Sequence, residues 1–341
     1  MTRPWLITGA SGFLGRHLLE ANAARPSPHP TLALVRDAAA WHREDWTSGL
    51  RDVGLVEGSL TDTGAWSGAL PPLGGIAHLA AVVQHSRHRP ETMRHTNVEG
   101  TLAMVRLAAA HGCRLVVMST SGTVGCFASP DESADEKSPH CEAAVARWPY
   151  YASKIEMERR ARALADELGV ELCLLRPPVL LGPGDHRLRS TRNVWKALHR
   201  RQPFVIEGGI AFADVRDVAA ALLAALERPD VRPVYHLPGH ACGIEAFFAE
   251  IEALSGVPGP PWKLPYPVAH ALATLVEGGG ARLLGRPPHL LPDPVVVEMA
   301  ARHWGLRSLY AEAELGHRPR PARETLADTI SWLRRHAPGA A

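Results

Sequence analysis

The chain has 341 residues, 46% hydrophobic and 21% charged, with a formal net charge of +2. That length can bury a full core in one large domain or two moderate ones, and so small a charge excludes general electrostatic attraction to nucleic acid or acidic membrane. Five scattered cysteines (Cys113, Cys126, Cys141, Cys173, Cys242) without a CxxC pair, and 18 histidines without an HExxH, exclude a disulfide framework and give no metal site, which fits a reducing cytoplasm.

Met1 to Trp5 run straight into a strand-like stretch, so no export signal is expected. Trp5–Thr8 reads as the first strand and Gly15–Ala24 as the first helix. Strands follow at Thr31–Val35, Gly54–Val56 and Gly75–Leu79, then a helix over Val98–His111. Arg114–Met118, apolar at Leu115, Val116 and Val117, is a strand covered by helices on both faces. Ala128–Pro139 is acidic and rich in Ser and Pro, hence a loop. Tyr151–Leu168 is a helix stopped by Gly169, and Glu171–Leu175 the next strand. Such alternation predicts a Rossmann-type, doubly wound parallel sheet over residues 1–178. Beyond Pro177-Pro178 the alternation lapses. Phe212–Leu226 still reads as a strand running into a helix, so a segment at about 210–237 returns to the sheet domain. Residues 179–209 and 238–341 form a smaller cap, built of short helices from Gly239 onward. The apolar run Val268–Val276, interrupted by His270 and ended by Glu277-Gly278-Gly279-Gly280, is too short to span a bilayer.

Thr8-Gly9-Ala10-Ser11-Gly12-Phe13-Leu14-Gly15 follows the first strand and opens the first helix. Gly9, Gly12 and Gly15 suit a tight turn, the approach of a diphosphate and close helix–strand packing, with the helix N-terminus facing phosphate. A dinucleotide is therefore expected here. At the end of the second strand, Arg36 stands 21 residues after Gly15 (36 − 15), where a ribose is read. A guanidinium there suits the 2′-phosphate of NADP(H), with Arg16 adding positive potential. The alternative makes Asp37 the ribose ligand and the cofactor NAD(H).

Hydride chemistry on a carbonyl needs a proton donor and a group that polarises oxygen. Trp148-Pro149-Tyr150-Tyr151-Ala152-Ser153-Lys154 offers both: residues three or four apart share a helix face, so either tyrosine can pair with Lys154, which would help the phenol ionise. Spacing leaves the choice of tyrosine open. The structural alternative is a solvated lysine and a packing tyrosine.

These segments occur in order with His78-Leu79-Ala80-Ala81, Asn97-Val98-Glu99-Gly100-Thr101, Ser119-Thr120-Ser121-Gly122-Thr123-Val124 and Leu175-Arg176-Pro177-Pro178. As a set, over roughly residues 4–240, the chain resembles the extended short-chain dehydrogenase/reductase superfamily. Within it the chain looks most like the dihydroflavonol-reductase and 3β-hydroxysteroid-dehydrogenase-like branch. The resemblance implies that Tyr150 exchanges the proton, that Lys154 activates it and reaches the nicotinamide ribose, and that Ser121 holds the substrate oxygen, with Ser119 and Thr120 as runners-up. It also implies that Leu60, Leu79, Ala80 and Ala81 line the cofactor and that Pro177, Pro178 and Val179 lie near the nicotinamide. Two departures stand out. Ser59 replaces an Asp that many relatives direct at adenine, and Gly125 replaces a tyrosine.

The reaction so implied is NADP(H)-dependent reduction of a ketone or aldehyde to an alcohol, or its reverse. The alternatives are an NAD-dependent nucleotide-sugar epimerase or dehydratase, and a non-catalytic NADP-binding sensor. Val179 stands where nucleotide-sugar enzymes commonly place an asparagine for the substrate diphosphate. The basic stretch from His186 to Arg201 reads either as a greeting for an anionic substrate or as a solvated helix face. Phe247, Phe248, Trp262, Tyr266, Leu290 and Trp304 give the cap an apolar character that suits an apolar small-molecule substrate or an ordinary core. The resemblance further implies a homodimer through the helices at Val98–His111 and Tyr151–Leu168.

Overall fold

The computed structural model describes residues 2–87, 89–284 and 293–336; Leu290, assigned above to the cap, lies outside them. In chain order the first half runs β1 (Trp5–Thr8), α1 (Phe13–Ala23), β2 (Thr31–Val35), α2 (Ala38–His42), β3 (Val53–Glu57), α3 (Gly64–Ser67), β4 (Gly75–His78), α4 (Pro90–His111) and β5 (Arg114–Met118). It continues through α5 (Glu142–Val145), α6 (Pro149–Leu168), β6 (Leu172–Arg176) and β7 (Val179–Leu181). The remainder comprises α7 (Arg192–Leu198), β8 (Phe204–Val205), β9 (Gly209–Asp214), α8 (Val215–Glu227), β10 (Val234–His236), β11 (His240–Gly243), α9 (Ile244–Ser255), β12 (Trp262–Lys263), α10 (Tyr266–Leu284), α11 (Pro294–Ala300), α12 (Ala311–Leu315) and α13 (Ala322–His336).

The main sheet has the order β10-β6-β5-β4-β1-β2-β3, with every pairing parallel. The chain winds outward from β1 to β3, then crosses back to lay β4 on the other side of β1. Thr8 is in register with both Leu34 and His78, so the carboxyl ends of β1, β2 and β4 meet at this reversal. That crevice is where ligands bind in open parallel sheets. One sheet face packs α1 and α8 through Leu14, Leu18, Val218 and Leu222; the other packs α4 and α6 through Val98, Leu102, Met157 and Ala161. Covered on both sides, β5 is apolar and buried at Leu115, Val116 and Val117, as expected above. Ala311 and Leu315 of α12 also join the α1–α8 face, so part of the late chain packs on the sheet domain.

The cap has its own core of Val194, Phe212, Phe247, Phe248, Ile251, Ile330 and Leu333, drawn from α7, β9, α9 and α13. Two expectations need correction. The helix assigned to Val98–His111 starts eight residues earlier, with Pro90 in its first turn. Residues 90–97 hold a single apolar side chain, Met93, which is buried, so no stripe announces the helix there. Nor is the late cap made only of short helices: β11 pairs antiparallel with β9, and α10 spans 19 residues, passing through Gly278–Gly280. Glycines within a helix cost about 1 kcal/mol each relative to alanine, which is why the run reads as a stop. Among the described residues no helix is long and apolar enough to cross a membrane.

Candidate active site

The glycine turn shapes a cradle at the reversal point. Gly9 has φ +69°, and a Cβ there would lie 2.7 Å from the Ala80 backbone nitrogen. A Cβ on Gly12 would stand 3.0 Å from the Gly9 carbonyl. The turn therefore packs directly on Leu79-Ala80 at the exit of β4 and leaves no side chain between the backbone and an incoming group. Helix α1 begins at Phe13 with Gly12 as its cap, without a side-chain cap and without an acidic residue in its first turn. Its free N–H groups and dipole are left for an anion. Leu14 and Gly15 are buried, and Ser11 and Phe13 are half-buried at the opening.

Arg36 is the first residue beyond β2. It is exposed, and among the described residues it makes no hydrogen bond or ion pair. The Asp37 carboxylate, by contrast, caps α2, accepting the Ala40 N–H at 2.7 Å. Arg16 is occupied: it bonds Glu20 at 2.7 Å, meets His186, and lies 5.4 Å over the Trp46 ring. Leu60 follows β3 and packs against Gly100. A diphosphate dinucleotide fits this set, with an open helix end, a turn that has glycine at 9 and 12, and one uncommitted cation in Arg36.

A polar chain runs through the sheet ends behind the turn. Thr8 Oγ1 meets His78 Nδ1 at 2.8 Å, and His78 Nε2 meets Thr101 Oγ1 at 3.0 Å. The Ala80 N–H donates to Thr8 Oγ1 at 3.3 Å. Burial, assisted by the Lys154 charge, pushes the His78 imidazole down to about 3, so the ring is neutral. It acts as a spacer locking β1 to β4.

Helix α6 carries the predicted reacting groups. Pro149 sits in its first turn, Tyr150 is half-buried, and Tyr151 and Lys154 are buried. Lys154 Nζ donates to the Met118 carbonyl at 2.9 Å, at the carboxyl end of β5. Burial pushes this ammonium down to about 8, with Glu158 one turn on opposing the shift. Burial also pushes the Tyr150 phenol up, which favours its protonated form. Tyr151 is a packing residue: its ring lies 5.4 Å from that of Trp304 and 6.1 Å from that of Trp148, and it fills the space a side chain at Gly122 would need.

The three hydroxyls after β5 are used differently. Ser119 donates to Glu158, and Thr120 Oγ1 accepts the Gly122 N–H at 3.3 Å. Ser121 is held by its backbone N–H to Pro177 O at 2.8 Å. Its hydroxyl, like that of Tyr150, has no hydrogen bond among the described residues, and neither oxygen is sealed from solvent. Pro177 and Pro178 are buried beside this turn, while Val179 is 42% exposed and Ala81 is exposed.

Beneath these groups lies a network that no motif announces. Glu158, 2% exposed, accepts from Arg176 Nε at 3.1 Å and also from Arg176 Nη2; His140 Nε2 lies 2.8 Å away and Thr123 Oγ1 donates at 3.3 Å. Burial alone would raise this carboxyl, but the His140 and Arg176 bonds, the Arg176 charge and Ser119 pull it down to about 2. Arg176 also reaches His236 at 3.3 Å. The partners of Glu158 come from three separate stretches of chain, at 119–123, 140 and 176, so only the fold assembles them; the one local hint is Glu158 four residues after Lys154.

The cap is tied to this centre by Glu298 of α11. Its carboxylate accepts from Arg87 at 2.6 Å and from Trp148 Nε1 at 2.8 Å, and meets His270 of α10 at 3.0 Å. Asn97 fixes the other end of the β4–α4 loop, exchanging bonds with Val82 N at 2.8 Å and Val82 O at 3.0 Å and reaching Ser153 at 3.3 Å. Among the described residues no group of His, Cys, Asp or Glu could hold a metal ion.

Residues 5–237 match the NAD dependent epimerase/dehydratase family. The chain is 28% identical over 343 aligned positions to a putative dihydroflavonol 4-reductase from Synechocystis, covering 97% of this chain and 95% of that protein. The crystal structure of gox2253 superposes with TM-score 0.81 at 28% identity, over 98% of each chain. UDP-glucose 4-epimerase from Thermotoga maritima, solved with UDP-glucose, superposes with TM-score 0.73 at 18% identity over 97% of this chain and 99% of its own, which shows the shared fold. With the glycine cradle, the seven-stranded parallel sheet and the family match agreeing over most of its length, this chain is an enzyme of the NAD dependent epimerase/dehydratase family, built on the extended short-chain dehydrogenase/reductase plan.

Proposed function

We propose that the protein is an NADP(H)-dependent carbonyl reductase in which Tyr150, Lys154 and Ser121 handle the substrate oxygen. The observation that carries this reading is selective commitment. Ser119 and Thr120 are bonded within the protein, whereas the hydroxyls of Ser121 and Tyr150 have no hydrogen bond among the described residues; Tyr151, whose hydroxyl is likewise unbonded, has its ring packed between Trp148 and Trp304. The free Arg36 beside a committed Asp37 supports NADP(H) over NAD(H) by the same logic. The nicotinamide, when bound, supplies the hydride.

The Tyr150 phenol, kept protonated by burial, donates its proton to the oxygen that becomes the alcohol. Ser121 donates a hydrogen bond to the same oxygen as negative charge develops. Lys154, fixed on Met118 O and still cationic below about pH 8, stabilises the phenolate left on Tyr150. The reverse reaction uses the same groups, with Tyr150 as base. The turn at Gly9 and Gly12 with the α1 N-terminus would hold the diphosphate and Arg36 the 2′-phosphate, while Leu60, Leu79, Ala80, Ala81, Pro177, Pro178 and Val179 would line the cofactor.

Exposed Val82, Val83 and Val179 at the strand ends favour an apolar substrate. The similarity to a protein named as a putative reductase supports reduction as well. A nucleotide-sugar epimerase or dehydratase is the second reading. It is favoured by exposed Arg187, Arg189 and Arg192 near the cap, whose positive charge suits an anionic substrate. We further propose a cytoplasmic homodimer through α4 and α6, for which light scattering giving twice the chain mass is the check.

The deciding experiment incubates the purified protein with NADPH and a panel of ketones and aldehydes, then with UDP- and dTDP-sugars. NADPH consumption with carbonyl compounds alone supports reduction. Copurified NAD with sugar turnover overturns it, and NADPH binding without any turnover makes the protein a sensor.

A further inference from the structure

The β4–α4 loop holds a histidine that neither the fold nor the proposed proton transfer uses. The His85 ring stands edge-on to Tyr150, with ring centroids 5.7 Å apart and planes at 83°, and lies 6.4 Å from Tyr151. Its Nδ1 is sealed from solvent without a partner, and neither ring nitrogen makes a hydrogen bond among the described residues. This placement is built rather than incidental. Val82 is clamped by Asn97, and Arg87 is held by Glu298 at 2.6 Å and by the Arg147 carbonyl at 3.0 Å, so both ends of the loop are pinned. On the same loop, two and three residues before it, Val83 and Val82 are exposed.

We propose that His85 is a specificity-determining residue of the substrate pocket, its imidazole bonding an uncharged oxygen of the substrate, a hydroxyl or second carbonyl, beside the carbonyl that Tyr150 protonates. The inference rests on the carbonyl-reductase reading above. Polar groups beside a reaction centre are almost always paired. Nδ1 is sealed off, so Nε2, which is not sealed and also lacks a partner among the described residues, is the nitrogen to which a ligand can supply one. Burial lowers the affinity of this ring for a proton, opposed by the nearby Asp293 carboxylate, while Arg87, two residues on, is paired with Glu298 and Arg89 is exposed at the start of α4. A neutral imidazole carries one donor and one acceptor. With no neighbour at Nδ1 to fix the tautomer, Nε2 can present either a proton or a lone pair, which matches a hydroxyl or carbonyl oxygen and not a carboxylate.

The test compares acetophenone with α-hydroxyacetophenone, and cyclohexanone with α-hydroxycyclohexanone, for wild type, His85→Phe, His85→Leu and His85→Gln. Turnover of NADPH is measured beside calorimetric binding of each ketone to the NADPH-saturated protein. A site built to bond an oxygen discriminates strongly against the analogue lacking it. Wild type should therefore prefer the hydroxylated partner. Phe and Leu should each cut that preference ratio in kcat/KM by roughly ten- to a hundredfold, mostly through KM, and Gln should restore part of it. Two different apolar replacements guard against a folding defect peculiar to one. An unchanged ratio in both, or no preference in wild type by turnover and by binding, overturns the assignment. Preferential binding that depends on His85 without reduction of either ketone would retain it and instead overturn the carbonyl-reductase reading.

Discussion

Replacing Glu158 by Gln tests the buried network by stability and by kinetics together. The carboxyl sits at about 2 in the folded protein, against an ordinary value near 4.3, and that gap corresponds to about 3 kcal/mol of native-state stabilisation at neutral pH. Because the folded value is depressed, this stabilisation is complete above about pH 4.3 and is lost as pH falls through about 2. A second route gives a similar size: Gln leaves the Arg176 guanidinium, itself 6% exposed, without its counter-charge, a change that costs about 3–5 kcal/mol. For a chain of this length the unfolding entropy is about 0.7 kcal/mol/K, so the melting temperature should fall by about 4–7 °C.

Thermal unfolding followed by circular dichroism at pH 7, and then at steps toward pH 3, measures this directly, and the gap between wild type and Glu158→Gln should narrow as pH is lowered. The same substitution removes the charge that holds the Lys154 ammonium up. The basic limb of the kcat/KM profile, expected near pH 8 in wild type, should therefore move to lower pH. A melting temperature within 1 °C of wild type, or a gap that does not change with pH, would refute the reasoning.

Other perturbations separate the parts of the site. Gly9→Ala places a Cβ 2.7 Å from Ala80 N on a backbone at φ +69°, and should weaken NADPH binding by at least about tenfold in fluorescence titration, since the turn must shift. Arg36→Ala should weaken NADPH by roughly ten- to a hundredfold while NADH changes far less, the size expected for charge-assisted bonds to a phosphate; equal losses would mean that Arg36 does not read the 2′-phosphate. Glu298→Ala cuts the tie between α10, α11, the Arg87 loop and Trp148. It should lower the melting temperature by about 2–4 °C and raise substrate KM more than it lowers kcat.

The sheet domain was legible because its signals are local. Trp5–Thr8, Thr31–Val35 and Arg114–Met118 have the boundaries that their apolar runs predict, and the glycine turn joins β1 to α1 where a dinucleotide turn belongs. Legibility fails where a helix lacks an apolar stripe, as over 90–97 of α4, or where glycines continue a helix, as at Gly278–Gly280 in α10. At the site, Tyr150 lies half-buried in the first turn of α6, and Tyr151 lies in the packing between Trp148 and Trp304. Spacing alone could not separate the two. The Glu158–Arg176–His140 network and the Glu298 tie join side chains 18 to 211 positions apart. Each is made of residue types that are ordinary on a surface, so nothing in their local sequence marks them as buried or paired.

The central claim is that Tyr150, and not its neighbour, exchanges the proton. Steady-state NADPH oxidation and NADPH binding, measured side by side for Tyr150→Phe and Tyr151→Phe on a ketone that wild type reduces, test it most directly. Tyr150→Phe should lose about 10²- to 10⁴-fold in kcat with cofactor affinity kept within about threefold, whereas Tyr151→Phe, which keeps the ring packed on Trp304, should stay within about fivefold of wild type. Equal losses in the two variants, or a Tyr150→Phe enzyme that still turns over at the wild-type rate, would contradict it.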